Sequence, residues 1–125
     1  MISQLFQSRI NKGKAAEEIA CNHLQQNGLK LIDKNFYSRY GEVDLIMQDQ
    51  DTLVFIEVRY RKNLDYGGAL ESVTPSKQKK IQTTALYYMQ KKGDAYNSRF
   101  DVVALTGNDI NNQNKLSIEW IQNAF

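Results

Sequence analysis

Two segments of alternating residues, Gly41–Gln48 and Leu53–Arg61, flank the polar run Gln48–Thr52 and leave the chain few ways to fold between them. In the first, Val43, Leu45 and Met47 point one way while Glu42, Asp44 and Ile46 point the other, which is the period of a strand. The second is rich in β-forming residues. Pairing them as a hairpin, with the turn centred between Gln50 and Asp51, sets Val43 opposite Val58, Leu45 opposite Ile56 and Met47 opposite Val54. One face is then wholly apolar. On the other, Ile46 meets Phe55, Asp44 meets Glu57 and Glu42 meets Arg59. A slip of one residue sets polar groups against the apolar row, so the pattern itself selects the register.

Residues directly opposed across such a ladder have Cβ atoms about 4.5–5.5 Å apart, where like charges destabilise. A hairpin built only for stability avoids Asp44 opposite Glu57. The conflict disappears if a hard divalent cation sits between them, since Mg²⁺ is held by one or two carboxylates together with water and phosphate oxygens. Such an ion activates water and neutralises charge at phosphorus. The plain alternative is surface charge, with Glu57 paired to Arg59 or Arg61. Position favours the site: Glu57 interrupts an apolar strand, and Arg59 and Arg61 follow it on the same face. Two carboxylates followed by a cation is the layout a phosphodiester site needs, the cation stabilising transition-state charge.

The remaining segments supply helices and further strands. Lys14–Asn27 predicts a helix from the spacing of Ala16, Ile19, Ala20 and Leu24, ended by Gly28. Leu29–Asn35 reads as a short strand, and Lys62–Thr74 as a polar loop around Gly67-Gly68. Thr74-Pro75 opens a second helix as N-cap and first-turn proline, and Gly93 closes it, with Ile81, Ala85, Tyr88 and Met89 as the buried stripe. Phe100–Leu105 and Leu116–Ile121 read as the last strands. The order of elements predicts an α/β fold, a mixed sheet flanked by helices.

At 125 residues the expectation is a single domain spanning 1–125. Apolar runs such as Leu53–Ile56 are far too short for a membrane span, and Met1–Ile10 has no export signal, so the reading is cytoplasmic. A lone Cys21 fits a reducing compartment, and Cys21 with His23 does not make a zinc site. The net charge of +2 excludes a histone-like mode of binding, but the basic residues are grouped: Arg59, Arg61 and Lys62, then Lys77, Lys79 and Lys80. The three lysines stand in the first turns of a helix, where positive charge opposes the macrodipole and a bound phosphate relieves the conflict. Exposed lysines at a cost of a few tenths of a kcal/mol are the other reading. Tyr60, Tyr66, Tyr87 and Tyr88 could stack on bases, although Tyr88 belongs to the helix's core stripe, and the Tyr66-Gly67-Gly68 loop is either a nucleic-acid contact or a plain connection.

Gly41-Glu42-Val43-Asp44-Leu45-Ile46, followed by Phe55-Ile56-Glu57-Val58-Arg59-Tyr60-Arg61, closely resembles the YraN-type family of small bacterial proteins. The same core resembles the archaeal Holliday-junction resolvases of the PD-(D/E)XK, restriction-endonuclease-like nuclease superfamily. The likeness to the YraN type runs through nearly the whole chain: Gly13–Ala20 with Glu17, Lys77, Arg99–Val103 and Asn123-Ala124-Phe125 all match. The resemblance implies Asp44 and Glu57 as metal ligands for Mg²⁺ or Mn²⁺, Glu17 as a further helix carboxylate, and position 59 as the motif lysine. Here that position is Arg59, which stays charged and is a poor general base, though it can stabilise a pentavalent phosphorus centre. Glu42 reads as a partner of Arg59 or Arg61 rather than a ligand.

The leading expectation is thus a metal-dependent nuclease or nuclease-like protein acting on DNA, branched or junction DNA included. The alternative is a non-catalytic nucleic-acid-binding module on the same fold, with Arg59, Arg61, Lys77 and Lys79 on backbone phosphates. A third is an assembly protein that kept the fold. The resolvase likeness also raises a homodimer, without a self-complementary patch to support it.

Overall fold

The computed structural model describes residues 2–63, 68, 70–93 and 97–125, with side chains from Gly13 onward. The expected contact at Tyr66-Gly67 lies outside the described residues. The elements are α1 (Ile2–Gln26), β1 (Lys30–Ser38), β2 (Gly41–Asp49), β3 (Thr52–Arg61), α2 (Pro75–Lys92), β4 (Asn97–Thr106) and β5 (Ser117–Ile121), with short 3-10 turns at Leu70–Ser72 and Gln113–Lys115. The strands form one five-stranded sheet in the order β1-β2-β3-β4-β5. All neighbours are antiparallel except β3 and β4, which run parallel and therefore need the long crossover that carries α2. This mixed α/β sheet with two helices is consistent with the restriction-endonuclease-like fold.

Each helix covers its own set of sheet side chains. Ala16, Ile19, Ala20 and Leu24 of α1 pack on Leu45, Met47, Val54, Ile56, Val103 and Leu105. Ile81, Ala85 and Tyr88 of α2 pack on Val43, Ile46, Phe55 and Val102. Strand alternation sends Val54 and Ile56 to the α1 face and Leu53 and Phe55 to the α2 face. The second helix begins as its sequence predicts: the Thr74 side chain accepts from the Lys77 N–H at 3.3 Å, with Pro75 in the first turn. It stops at Gly93, whose left-handed φ of 77° lets its N–H reach back to the Met89 and Gln90 carbonyls. Among the described residues no helix is long and apolar enough to cross a membrane.

Three expectations change. The first helix starts at Ile2 rather than Lys14, since nothing before Gly13 breaks a helix and Gly13 itself costs only about 1 kcal/mol there. The first strand runs past Asn35 to Ser38 in spite of the left-handed φ of 49° there, because β2 goes on pairing with it through Phe36↔Val43, Tyr37↔Glu42 and Ser38↔Gly41. The third change falls at the hairpin. The ladder keeps the expected register through Leu45↔Ile56, Ile46↔Phe55 and Met47↔Val54, but its pairs stop at Leu45. Val43 does not join Leu45 and Met47; it packs with Ile46 on the α2 side. The alternation breaks at Asp44, opposite the left-handed Asn35 of β1, and there β2 parts from β3. Such an irregularity re-aims side chains.

Candidate metal centre

The parting of the strands is held open by a carboxylate. Asp44 Oδ2 accepts the Val58 backbone N–H at 2.8 Å, beyond the last ladder pair. The expected pairs Val43↔Val58, Asp44↔Glu57 and Glu42↔Arg59 are therefore absent from the ladder. Asp44 and Glu57 nevertheless meet through their side chains. Burial pushes the Asp44 carboxyl up to about 8, and the hydrogen bond and charge it shares with Glu57 push the same way, while the Val58 N–H pulls it down. A buried carboxyl that faces other acids keeps its proton unless a cation takes its place.

Glu17 and Glu42 complete the group. Oxygens of Glu17, Glu42 and Asp44 all lie within 4.8 Å of one another, so these three residues could hold a metal ion. Asn35 ties two of them together: its Nδ2 donates to Glu17 Oε1 at 2.9 Å and to Glu42 Oε1 at 2.8 Å. The left-handed turn of the strand at Asn35 is what aims that amide between the acids. Burial raises the Glu17 pKa; the Asn35 hydrogen bond opposes that rise, and the charges of Asp44 and Glu42 add to it. Glu42, read from the sequence as a partner of Arg59 or Arg61, instead faces Glu17 and Asp44. Glu57 lies outside the trio and joins it through Asp44.

The cations stand around the acids unequally. Asp44, Glu57 and Arg59 form a wall between two hollows. A cleft of about 390 Å³ on one side also takes in Glu17 and Arg61. A smaller hollow of about 200 Å³ on the other takes in Glu42, Lys77 and Lys80. Arg59 Nε lies 3.8 Å from Glu57 Oε1, too far for a hydrogen bond, and that buried nitrogen has no hydrogen-bond partner among the described residues. Arg61 spends one Nη on the Tyr60 carbonyl at 3.2 Å. Lys79 is exposed on α2 and lines neither hollow, whereas Lys80, one residue on, does. Helical rotation sets Lys77, Lys80 and Ile81 on one side.

Asn35 is the participant that sequence reasoning passes over, and Lys80, read there as one of three grouped lysines, takes the place expected of Lys79. An Asn tolerates left-handed backbone, which is the one local signal Asn35 carries. Lys80 is legible only once α2 has been rotated onto the sheet.

A family model described as uncharacterised protein family UPF0102 matches residues 16–105. The chain is 49% identical over 124 residues to a UPF0102 protein of Psychromonas ingrahamii, covering 99% of this chain and 97% of the relative. A UPF0102 protein of Nitrosomonas eutropha is 48% identical over 115 residues, covering 92% and 93%. One from Nitrosococcus oceani is 44% identical over 117 residues, covering 92% and 91%.

Proposed function

The chain belongs to the uncharacterised protein family UPF0102, and from that premise we propose that it is a metal-dependent phosphodiesterase of the endonuclease type, acting on DNA with Mg²⁺ or Mn²⁺. The observation that carries the reading is the gathering of Glu17, Glu42 and Asp44 around one point, with Glu57 lining the same two hollows as Asp44. The donor set fits a hard cation: it is all carboxylate oxygen, and oxygens around an octahedral Mg²⁺ are about 3 to 4.2 Å apart, compatible with three carboxylates whose oxygens lie within 4.8 Å of one another. Once bound, such an ion supplies a water of lowered pKa and charge neutralisation at phosphorus.

The chain's own residues take the other roles. Asp44 and its partners Glu17 and Glu42 would hold the ion as the Asp44 proton is released, with Glu57 beside Asp44 completing the set. Asn35 keeps Glu17 and Glu42 turned inward. Arg59 stands beside Glu57 and lines both hollows, where its guanidinium is suited to a phosphoryl oxygen. Lys77 and Lys80 border the same opening from the start of α2 and can hold flanking phosphates. The test is cleavage of duplex, single-stranded and junction DNA with Mg²⁺ or Mn²⁺. Wild type should cut at least one substrate, and Asp44→Ala and Glu57→Ala should abolish the cut while staying folded. If every substrate stays intact and calorimetry detects no divalent-ion binding, the enzyme reading fails.

Arg59 favours a second reading. A guanidinium cannot take a proton from the attacking water, so the same site could bind DNA without cutting it. In that case affinity falls steeply with salt, and the carboxylate variants bind at least as well as wild type.

A further inference from the structure

Beside the carboxylates, the β1–β2 turn and the outer side of α2 form a surface that the proposed chemistry does not use. Tyr37, Tyr40 and Tyr87 are 66%, 43% and 43% exposed, a large aromatic area for one small surface. With Arg39 and Lys91 they line a hollow of about 460 Å³. Each of two rings carries a cation: Arg39 lies 5.0 Å over the Tyr40 ring, and Lys91 Nζ 5.6 Å over the Tyr87 ring.

The surface is built rather than floppy. The hairpin turn is pinned to α2 by the Ser38 and Thr84 hydroxyls, 2.9 Å apart, with Thr84 fully buried. Ser38 Oγ also accepts the Tyr40 N–H at 3.0 Å, which sets the ring's position. Gly41 sits against α2: a Cβ there would stand 3.4 Å from Lys80 Cβ, at van der Waals contact. Tyr87 is backed by Phe36, ring centroids 6.4 Å apart. The surface is also continuous with the acidic site, because Tyr37 pairs with Glu42 across the β1–β2 ladder.

We propose that this surface is a stacking platform for unpaired nucleotides, so that the partner is a single-stranded segment of nucleic acid laid along Tyr87, Tyr40 and Tyr37 toward the carboxylates. Exposed rings interleaved with cations match a chain that offers both flat bases and phosphates. Duplex offers the phosphates but keeps its bases stacked on one another, and an acidic peptide offers charge without rings to stack. As the path by which a strand reaches Asp44, the proposal rests on the nuclease reading; the stacking contact itself does not.

The experiment is fluorescence anisotropy with a labelled oligothymidylate and a duplex of equal length, with chelator present so that nothing is cut. Wild type should prefer the single strand. Tyr40→Ala and Tyr87→Ala should each weaken single-strand binding by about 5- to 150-fold, the range for one stacked base. Tyr40→Phe and Tyr87→Phe should bind like wild type. Tyr40 stands in a turn, so its alanine variant tests the platform even if Tyr87→Ala disturbs α2. Unchanged binding in both alanine variants overturns the proposal, as does an equal loss for single strand and duplex. A concentration-dependent dimer lost on Tyr87→Ala also overturns it, by assigning the rings to a second copy. Ring-dependent binding by a protein that never cleaves DNA with metal ends the nuclease reading and leaves the platform standing.

Discussion

Asp44 and Asp101 are both withdrawn from water within one sheet, yet their surroundings are opposite. Asp101 on β4 is fully buried and fully served. Arg99 Nε donates to both its oxygens at 3.1 and 3.2 Å, Trp120 Nε1 at 2.9 Å, and the Asn123 N–H at 2.9 Å. Arg99 in turn reaches Asp49 at 3.0 Å, so the cluster ties β2, β4, β5 and the C-terminal turn together. Asp44 receives one backbone N–H and otherwise faces Glu57, Glu42 and Glu17. A carboxylate surrounded by donors closes a structure. One surrounded by carboxylates costs stability as it stands, and such a cost persists at places that bind something.

The same substitution at the two positions should separate them most widely. Asp101→Asn strips the charge from a buried pair with Arg99 and should cost about 3–5 kcal/mol in urea unfolding. Asp44→Asn should leave the metal-free protein at least as stable as wild type at pH 7 and more stable at pH 9. The sign follows from linkage. The folded Asp44 pKa is raised from an ordinary 3.8 to about 8, so between those values the folded protein keeps a proton the unfolded chain has lost. Stability from this group therefore falls as pH rises through that window, and a neutral amide is spared the loss. Equal destabilisation by the two variants would erase the distinction.

Metal binding should show the complementary trend. The ion displaces the proton on Asp44, so affinity for Mn²⁺ should rise by close to tenfold per pH unit from about pH 6 to 8, then level off. Calorimetric titration across that range checks it, and a flat profile means Asp44 is not a ligand. Asn35→Gly keeps the left-handed backbone but removes the amide between Glu17 and Glu42. It should weaken the ion by about 10- to 100-fold, as for other groups that orient ligands, with little change in unfolding. The smallest effect is expected at α2. Lys77→Ala should lower the salt dependence of DNA binding by about one in slope, and Lys79→Ala by less, because only Lys77 borders the acidic site.

Much of the site is legible before any coordinates. The hairpin register follows from the two-residue period of Leu45, Met47, Val54 and Ile56, and the ends of α2 from Thr74, Pro75 and Gly93. Those signals are local, and they place Asp44 near Glu57. They do not show Val43 turning away from Leu45, because alternation has no means of announcing its own interruption. Nor do they reveal Glu42 beside Glu17, which needs α1 laid across the kinked strand, or Lys80 rather than Lys79 at the opening. The anchoring of Asp101 likewise depends on Trp120 and Asn123 arriving from β5 and the turn beyond it.

By itself the amino-acid order determined which stretches become strands and helices, which faces are apolar and which two acids share a hairpin, since periodicity and capping act over a few residues. Only the tertiary structure decided that Asp44 leaves the ladder, that Glu17 and Glu42 close around it, and that tyrosines gather beside them. Those outcomes depend on where a helix 18 residues away in sequence, such as Glu17 from Asn35, comes to rest on the sheet. Burial and electric field at a side chain are set by such distant neighbours, and no local pattern encodes them.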